Sequence, residues 1–381
     1  MIYGDGIHDD YAGIQELLDS GAGEIRLPMP KVKYCISKPL RIHSNQELIL
    51  PRYAHISLIA DSNCVMLRND NFNEWSENIS IIGGIWDMNH NEQEPNPGHF
   101  PDKHGKMFFD YNAEIGWDAK TSTAPSPNYI GFCMVFCRVK NFRMEKLTIL
   151  NPVTYGVQVA YMEDFTFRDI TFDYTEGSPK LWNMDGIHIE GNCKNGYLNN
   201  LKGACHDDLV ALTADDGCTY GPIENIVIDG IYAEGSHSAV RLLSHGEPVR
   251  NIRITNVFGS YYVYAIGMTK YHGGPEERGI MENISIDNLY ISGAAPTKDV
   301  NKRFPLLWVQ KGVDINRLDI HNVYRDEKVR DMPLFRIDEG ATVKNLSLDK
   351  IYQKNYLEET VPFVEINGEV DGFQKGDLKN E

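Results

Sequence analysis

Three short segments gather side chains that can move protons. They are Asn183-Met184-Asp185-Gly186-Ile187-His188-Ile189, His206-Asp207-Asp208-Leu209-Val210-Ala211-Leu212 and Ser236-His237-Ser238-Ala239-Val240-Arg241-Leu242. Each sets ionisable groups into a stretch that otherwise alternates like a strand. Carboxylates crowded together repel, and their protonation equilibria are driven apart, which supplies one acid and one base. A carboxylate pair spaced to admit a water can hydrolyse a glycosidic bond with inversion, one group protonating the leaving oxygen and the other activating the water. No nucleophilic Ser or Cys constellation competes, and Gly4-Asp5-Gly6 lacks the preceding strand of a dinucleotide fingerprint. An isolated Asp at a strand edge equally well caps a turn, the reading given to Asp215-Asp216 before Gly217. It is the combination of Asp185, Asp207 and Asp208 with His237 that points to chemistry.

Something must bring these segments together, and the chain carries a repeat that can. A phrase of Asn or Asp followed by alternating apolar and polar residues starts at Asn141, Asp164, Asn195, Asn225, Asn251, Asn283 and Asn345, with looser copies at Asn78 and Asn316. Subtracting successive starts from Asn141 gives 23, 31, 30, 26, 32, 33 and 29 residues. An elastic period of this size marks a solenoid whose units bury their apolar faces only by stacking. The runs have period 2 and no helical stretch interrupts them, so the expected fold is all-β: a parallel β-helix with three short strands per turn and about nine coils. Asn suits the corners because it tolerates the left-handed conformation and its amide can bond from coil to coil.

The register follows from the same anchors. Asp207 lies 12 residues after Asn195 and His237 lies 12 after Asn225, so the two should neighbour each other about 4.8 Å apart at the backbone. Asp185 belongs to the coil before. The third coil is expected to slip in phase, with Val240 and Leu242 taking the inward places. Residues 1–381 read as a single β-helix domain with a cap segment over 1–25, in which Asp9-Asp10 precedes an amphipathic helix carrying Tyr11, Ile14, Leu17 and Leu18. A long loop insert, 88–137, interrupts the repeat. Its Phe108, Phe109, Tyr111 and Trp117 favour a folded loop flanking a cleft or shielding an apolar edge.

Composition narrows the partners. With 37 Lys+Arg against 54 Asp+Glu the formal charge is −17, which disfavours nucleic acid and anionic membranes. No apolar run is long enough to span a bilayer. The seven cysteines have no zinc-ligand spacing and read as buried thiols, and neither a metal site nor a cofactor is expected. Met1 is followed by no basic-then-apolar leader, although an extracellular or periplasmic setting would suit a polysaccharide substrate. Nothing in the sequence fixes the oligomeric state.

The succession NMDG, HDDLVAL, SHSAVRL and Met268-Thr269-Lys270 resembles the polygalacturonase family, glycoside hydrolase family 28, within the pectate-lyase-like β-helix superfamily. Its pattern runs NTD, GDD or QDD, GHG and RIK on successive coils. The opening GDGIHDDYAGIQ resembles the cap segment shared by that family and phage tail-spike proteins. The resemblance extends from the cap to about residue 290. It implies a right-handed β-helix and an inverting glycoside hydrolase acting on a polysaccharide or oligosaccharide. Asp207 would be the general acid, Asp185 and Asp208 would hold the attacking water, and Asn183 would orient the site. His237 and Lys270 would contact substrate.

This sequence departs from the family pattern at four places. His206 replaces the Gly or Gln, Ser236 and Ser238 replace the GHG glycines, and Met268 replaces the RIK arginine, which in the family helps hold a uronate carboxylate. Either Arg241 substitutes from a neighbouring coil, or the sugar is neutral or deoxy; Arg241 as a plain surface residue is equally open. His188, His245 and His272 can line the cleft or serve structure. Two rival functions fit the same scaffold: a non-catalytic, tail-spike-like carbohydrate-binding protein, and a polysaccharide lyase.

Overall fold

The computed structural model describes residues 1–174, 181–215, 217, 219–271, 274–297 and 304–381. The strands form one continuous parallel ladder wound into coils, and the crossover rule for parallel strands gives the right-handed β-helix that the motif resemblance implies. One inward column runs Leu40, Leu67, Met134, Val157, Ile187, Val210, Val240, Ile266, Leu307, Phe335 and Val364, each paired with the next. That column crosses two more coils than the nine expected, one at each end: the first turns at left-handed Asn45, which accepts from Asn78 at 2.7 Å, and the last has Gly372 opposite Asn345. A second column passes Leu198, Ile228, Ile254, Ile286, Ile320 and Leu348, every one buried. Stacked aliphatic columns of this kind bury the whole apolar face of each coil, at about 25 cal/mol per Å² removed from water.

The corners are held by amides. Asn195, Asn225, Asn251 and Asn283 all have φ between 53 and 61°. Each donates its Nδ2 to the Asn or Asp one coil earlier: Asn195 to Asp164 at 2.9 Å, Asn225 to Asn195 at 3.0 Å, Asn251 to Asn225 at 2.9 Å and Asn283 to Asn251 at 3.0 Å. A residue able to sit in the left-handed region while bonding along the stack explains why the repeat phrase begins with Asn.

The cap helix, α1, spans Tyr11–Leu18 with Ile14 and Leu18 buried and Leu17 39% exposed. Gln15 ties it to the first coil by accepting from the backbone N–H of Arg41 at 2.8 Å and donating to the carbonyl of the same residue at 3.1 Å. Asp10 does not cap the helix with its side chain; it accepts from the backbone of Gly4 and Cys35, both at 3.1 Å. The insert 88–137 differs from a plain loop by containing a helix, α2, at Phe108–Ile115, which buries Phe108 and Asn112 one turn apart and ends on left-handed Gly116. Trp117 and Ile130 pack with Phe132, Val135 and Tyr155 on the flank of the coils.

Candidate active site

The strands Ile187–Glu190, Asp208–Thr213 and Ile223–Leu243 lie side by side. Because Ile187, Val210 and Val240 face the core, alternation puts His188, Ala211 and Arg241 in one row on the opposite face, continued by Gly267 and Trp308. Asp208 pairs with Ser238, which sets Asp207 beside His237, the neighbours given by the 12-residue spacing. The His237 Nδ1 lies 3.7 Å from Asp207 Oδ1. The phase slip expected on the third coil is absent: Val240 sits on Val210 and Leu242 on Leu212 without a break, since both pairs are 30 residues apart. The irregularity lies one coil further, where the pairing with Val249–Thr269 shifts between Ala233, Ser236 and Ser238.

Asp207 and Asp208 lie close together, Asp185 sits on the neighbouring coil, and the three have different access to solvent. Asp207 keeps 20% of its side chain exposed, whereas Asp185 is 1% exposed and Asp208 0%. Asp208 Oδ1 accepts the hydroxyls of Ser238 at 2.6 Å and Tyr264 at 3.0 Å, and its Oδ2 lies 3.0 Å from Arg241 Nε. Gly267 makes room for this, because a Cβ there would stand 2.9 Å from the Tyr264 ring. Burial opposes the Arg241 charge, but Asp208 first, then Tyr264, Asp185 and Asp207, hold the guanidinium pKa well above its ordinary value. Burial and then Asp208 push the Tyr264 phenol up. Burial first, then Asp185, Asp207 and Asp208, push the Cys205 thiol up. Asp207, Asp208 and His237 each offer a possible metal-ligand atom within 4.8 Å of the others, but Arg241 already places a positive charge on Asp208.

Asp185 turns its Oδ2 to His188 Nδ1 at 2.6 Å, and the His188 ring stacks on Tyr155 at 4.1 Å between centroids and 8° between planes. Tyr155 stacks in turn on Phe132 at 4.5 Å. Asn183, two residues before Asp185, is half-buried in the left-handed conformation at φ 52°. His206 stands at the rim with its Nδ1 3.5 Å from Thr297 Oγ1. Lys270 is not brought to the carboxylates among the described residues: its Nζ donates to the carbonyl of Gly274 at 2.6 Å and its stem lies over Gly312. Met268, at the place of the RIK arginine, belongs to the inward column between Leu242 and Val309, so core packing fixes its type. His245 lies off the cluster, its backbone N–H donating to Asp215 at 2.7 Å. His272, Asp216 and Cys218 fall outside the described residues.

Sequence reasoning missed Tyr264, Tyr155 and Glu190. A signal for Tyr264 existed: it follows Asn251 by 13 residues, as Ser238 follows Asn225. Tyr155 and Glu190 had no such marker, because ordinary strand aromatics and carboxylates look the same.

Residues 98–257 match the family model described as glycosyl hydrolases family 28, a stretch that contains all three acidic and histidine segments, and the resemblance drawn from them is borne out. No curated protein sequence matches the chain. Among solved structures, the surface protein and adhesin PfbA of Streptococcus pneumoniae is 15% identical over 100% of this chain and 97% of that one, with a TM-score of 0.60. The family 28 exopolygalacturonase of Yersinia enterocolitica is 13% identical over 98% of this chain and 77% of its own, with a TM-score of 0.64. A double-mutant tailspike protein of E. coli bacteriophage HK620, solved in complex with a pentasaccharide, is 12% identical over 96% of this chain and 63% of its own, with a TM-score of 0.58. At these identities the likeness concerns the fold.

Proposed function

We propose that the protein acts on a polysaccharide or oligosaccharide and hydrolyses a glycosidic bond with inversion. The observation that carries this reading is the cluster of three carboxylates in which only Asp207 meets solvent, inside the stretch that matches family 28. Asp207, beside His237, is the general acid that protonates the leaving oxygen. Asp185 and Asp208 take the water side, with Asp208 held as a fixed charge by Arg241, Ser238 and Tyr264. Substrate binding must open the path to Asp185. Asn183, His206 and His237 line the approach, and the insert 88–137 forms a wall of the cleft. The clamp of Asp208 on Arg241 and the outward turn of Lys270 support a neutral or deoxy sugar over a uronate. The likeness to a surface adhesin and to a bacteriophage tailspike protein supports action outside the cell. Among the described residues no helix is long and apolar enough to cross a membrane.

A second reading has its own support. The burial of Asp185 and Asp208, together with the full-length likeness to an adhesin, favours a glycan-binding protein that does not cleave. A panel of neutral and acidic oligosaccharides, followed by NMR of the product anomer, separates the two. The hydrolase reading expects an inverted product, unimpaired by a chelator and without the ultraviolet absorbance of a lyase's unsaturated sugar. Asp207→Asn should cut the rate about 1000-fold while glycan binding persists. Unchanged hydrolysis in that variant would sink the acid assignment, and binding without any cleavage by the native protein would establish the second reading.

A further inference from the structure

The same face buries a second string of ionisable groups that the scheme above leaves without a part. His188 and Glu190 are each 1% exposed and Gln158 0%. His188 Nδ1 meets Asp185 at 2.6 Å, and its Nε2 stands 3.5 Å from Glu190 Oε1. Glu190 is itself fixed: its Oε1 accepts the Gln158 amide at 2.9 Å and its Oε2 accepts the backbone N–H of Thr219 at 2.9 Å. Gly217 lets the turn close over it, since a Cβ there would fall 2.3 Å from Glu190 Oε1. The Tyr155 ring lies flat against one face of the imidazole, and within the row the neighbours of His188 are Gln158 and the small Ala211.

We propose that His188, backed by Glu190, is a positioning residue that fixes the Asp185 carboxylate for the water side of the reaction; this rests on the hydrolase reading. Taking three ionisable groups out of water costs free energy unless each is bonded and the geometry is over-determined. Here the ring plane is set by stacking and one nitrogen by Asp185, while the other faces the twice-anchored Glu190 carboxylate across 3.5 Å, an ion-pair separation. A histidine held by a second carboxylate presents its remaining nitrogen in one orientation, so the group it touches is aimed as well. Asp185, on the segment leading into the strand Ile187–Glu190, is therefore held by the fold before substrate arrives.

Two substitutions separate positioning from plain structural support. The amide of His188→Asn can occupy the Nδ1 position and keep the bond to Asp185, while that of His188→Gln occupies the Nε2 position and abandons it. With the hydrolysed glycan as substrate, His188→Asn should lose no more than about fivefold in kcat, and His188→Gln about 100-fold with KM unchanged. Both should melt within about 4 °C of the native protein. Should His188→Gln fail to fold, Glu190→Gln serves instead, with kcat falling about tenfold at constant KM. Equal losses in the Asn and Gln variants, or losses confined to KM, would overturn the proposal while leaving the hydrolase reading intact. A native protein that cleaves no glycan overturns both, and the native control identifies that case.

Discussion

Replacing Asp208 by Asn tests whether the clamp beneath the cleft is a true buried ion pair. The carboxylate accepts two hydroxyls, from Ser238 at 2.6 Å and Tyr264 at 3.0 Å, forms an ion pair with Arg241 at 3.0 Å and has no exposed surface. An asparagine keeps the shape and one acceptor oxygen for the two hydroxyls, but it turns an NH2 group toward the Arg241 guanidinium. Donor then faces donor, and a positive charge with only 15% exposure loses its partner. Breaking a buried pair from one side costs about 3–5 kcal/mol, and the residual exposure of Arg241 places the expectation near 3 kcal/mol. Urea unfolding of Asp208→Asn, Arg241→Met and the double variant measures it. The double variant should cost less than the sum of the two singles by at least about 3 kcal/mol, the coupling between the sites. Single variants within about 0.5 kcal/mol of the native protein, or losses that simply add, would refute the clamp.

Two further outcomes follow from the fold. Gly259 has φ 141°, and a Cβ there would lie 1.7 Å from the Ala233 carbonyl oxygen, whereas Gly21, at φ 78°, has nothing within 4 Å. Gly259→Ala should therefore cost about 3 kcal/mol or more and Gly21→Ala about 1 kcal/mol, compared by urea midpoint. Acid should also destabilise the protein. The Arg278 hydrogen bond first holds Asp314 below its ordinary pKa, and His43, then Gln15, does the same for Asp19. Burial pushes Glu327 up, but Arg325 and the backbone amides of Arg330, Val329 and Gly293 outweigh it and the net direction is down. Carboxyls with lowered native pKa values contribute fully above their unfolded values, about 4, and lose that contribution as pH falls through the native ones. The urea midpoint should stay level in this respect from pH 7 to about 5 and drop below about 4; a midpoint that rises on acidification would contradict these pairings.

The Asn phrase made the solenoid legible because a corner in the left-handed region accepts few residue types, so the geometry writes itself into the sequence at every coil. The column pairs Val210 with Val240 and Asp207 with His237 could be read by counting from Asn195 and Asn225. The helix at Phe108–Ile115 could not be read, since two buried positions one turn apart are too weak a pattern in a Pro-rich insert. Asp207, Asp208 and Asp185 were equally visible as acids, and so was the pairing of Asp207 with His237.

By itself, then, the sequence determined the parallel β-helix, its cap and the neighbourhood of the acidic cluster, since all of these follow from spacing along the chain. Only the tertiary structure decided which carboxylate meets solvent, that Arg241 closes on Asp208, that Lys270 turns away and that His188 takes hold of Asp185. Those outcomes depend on how side chains on different coils fill the space between them. Burial and partnership are properties of the packed face, and the repeat period carries no record of them.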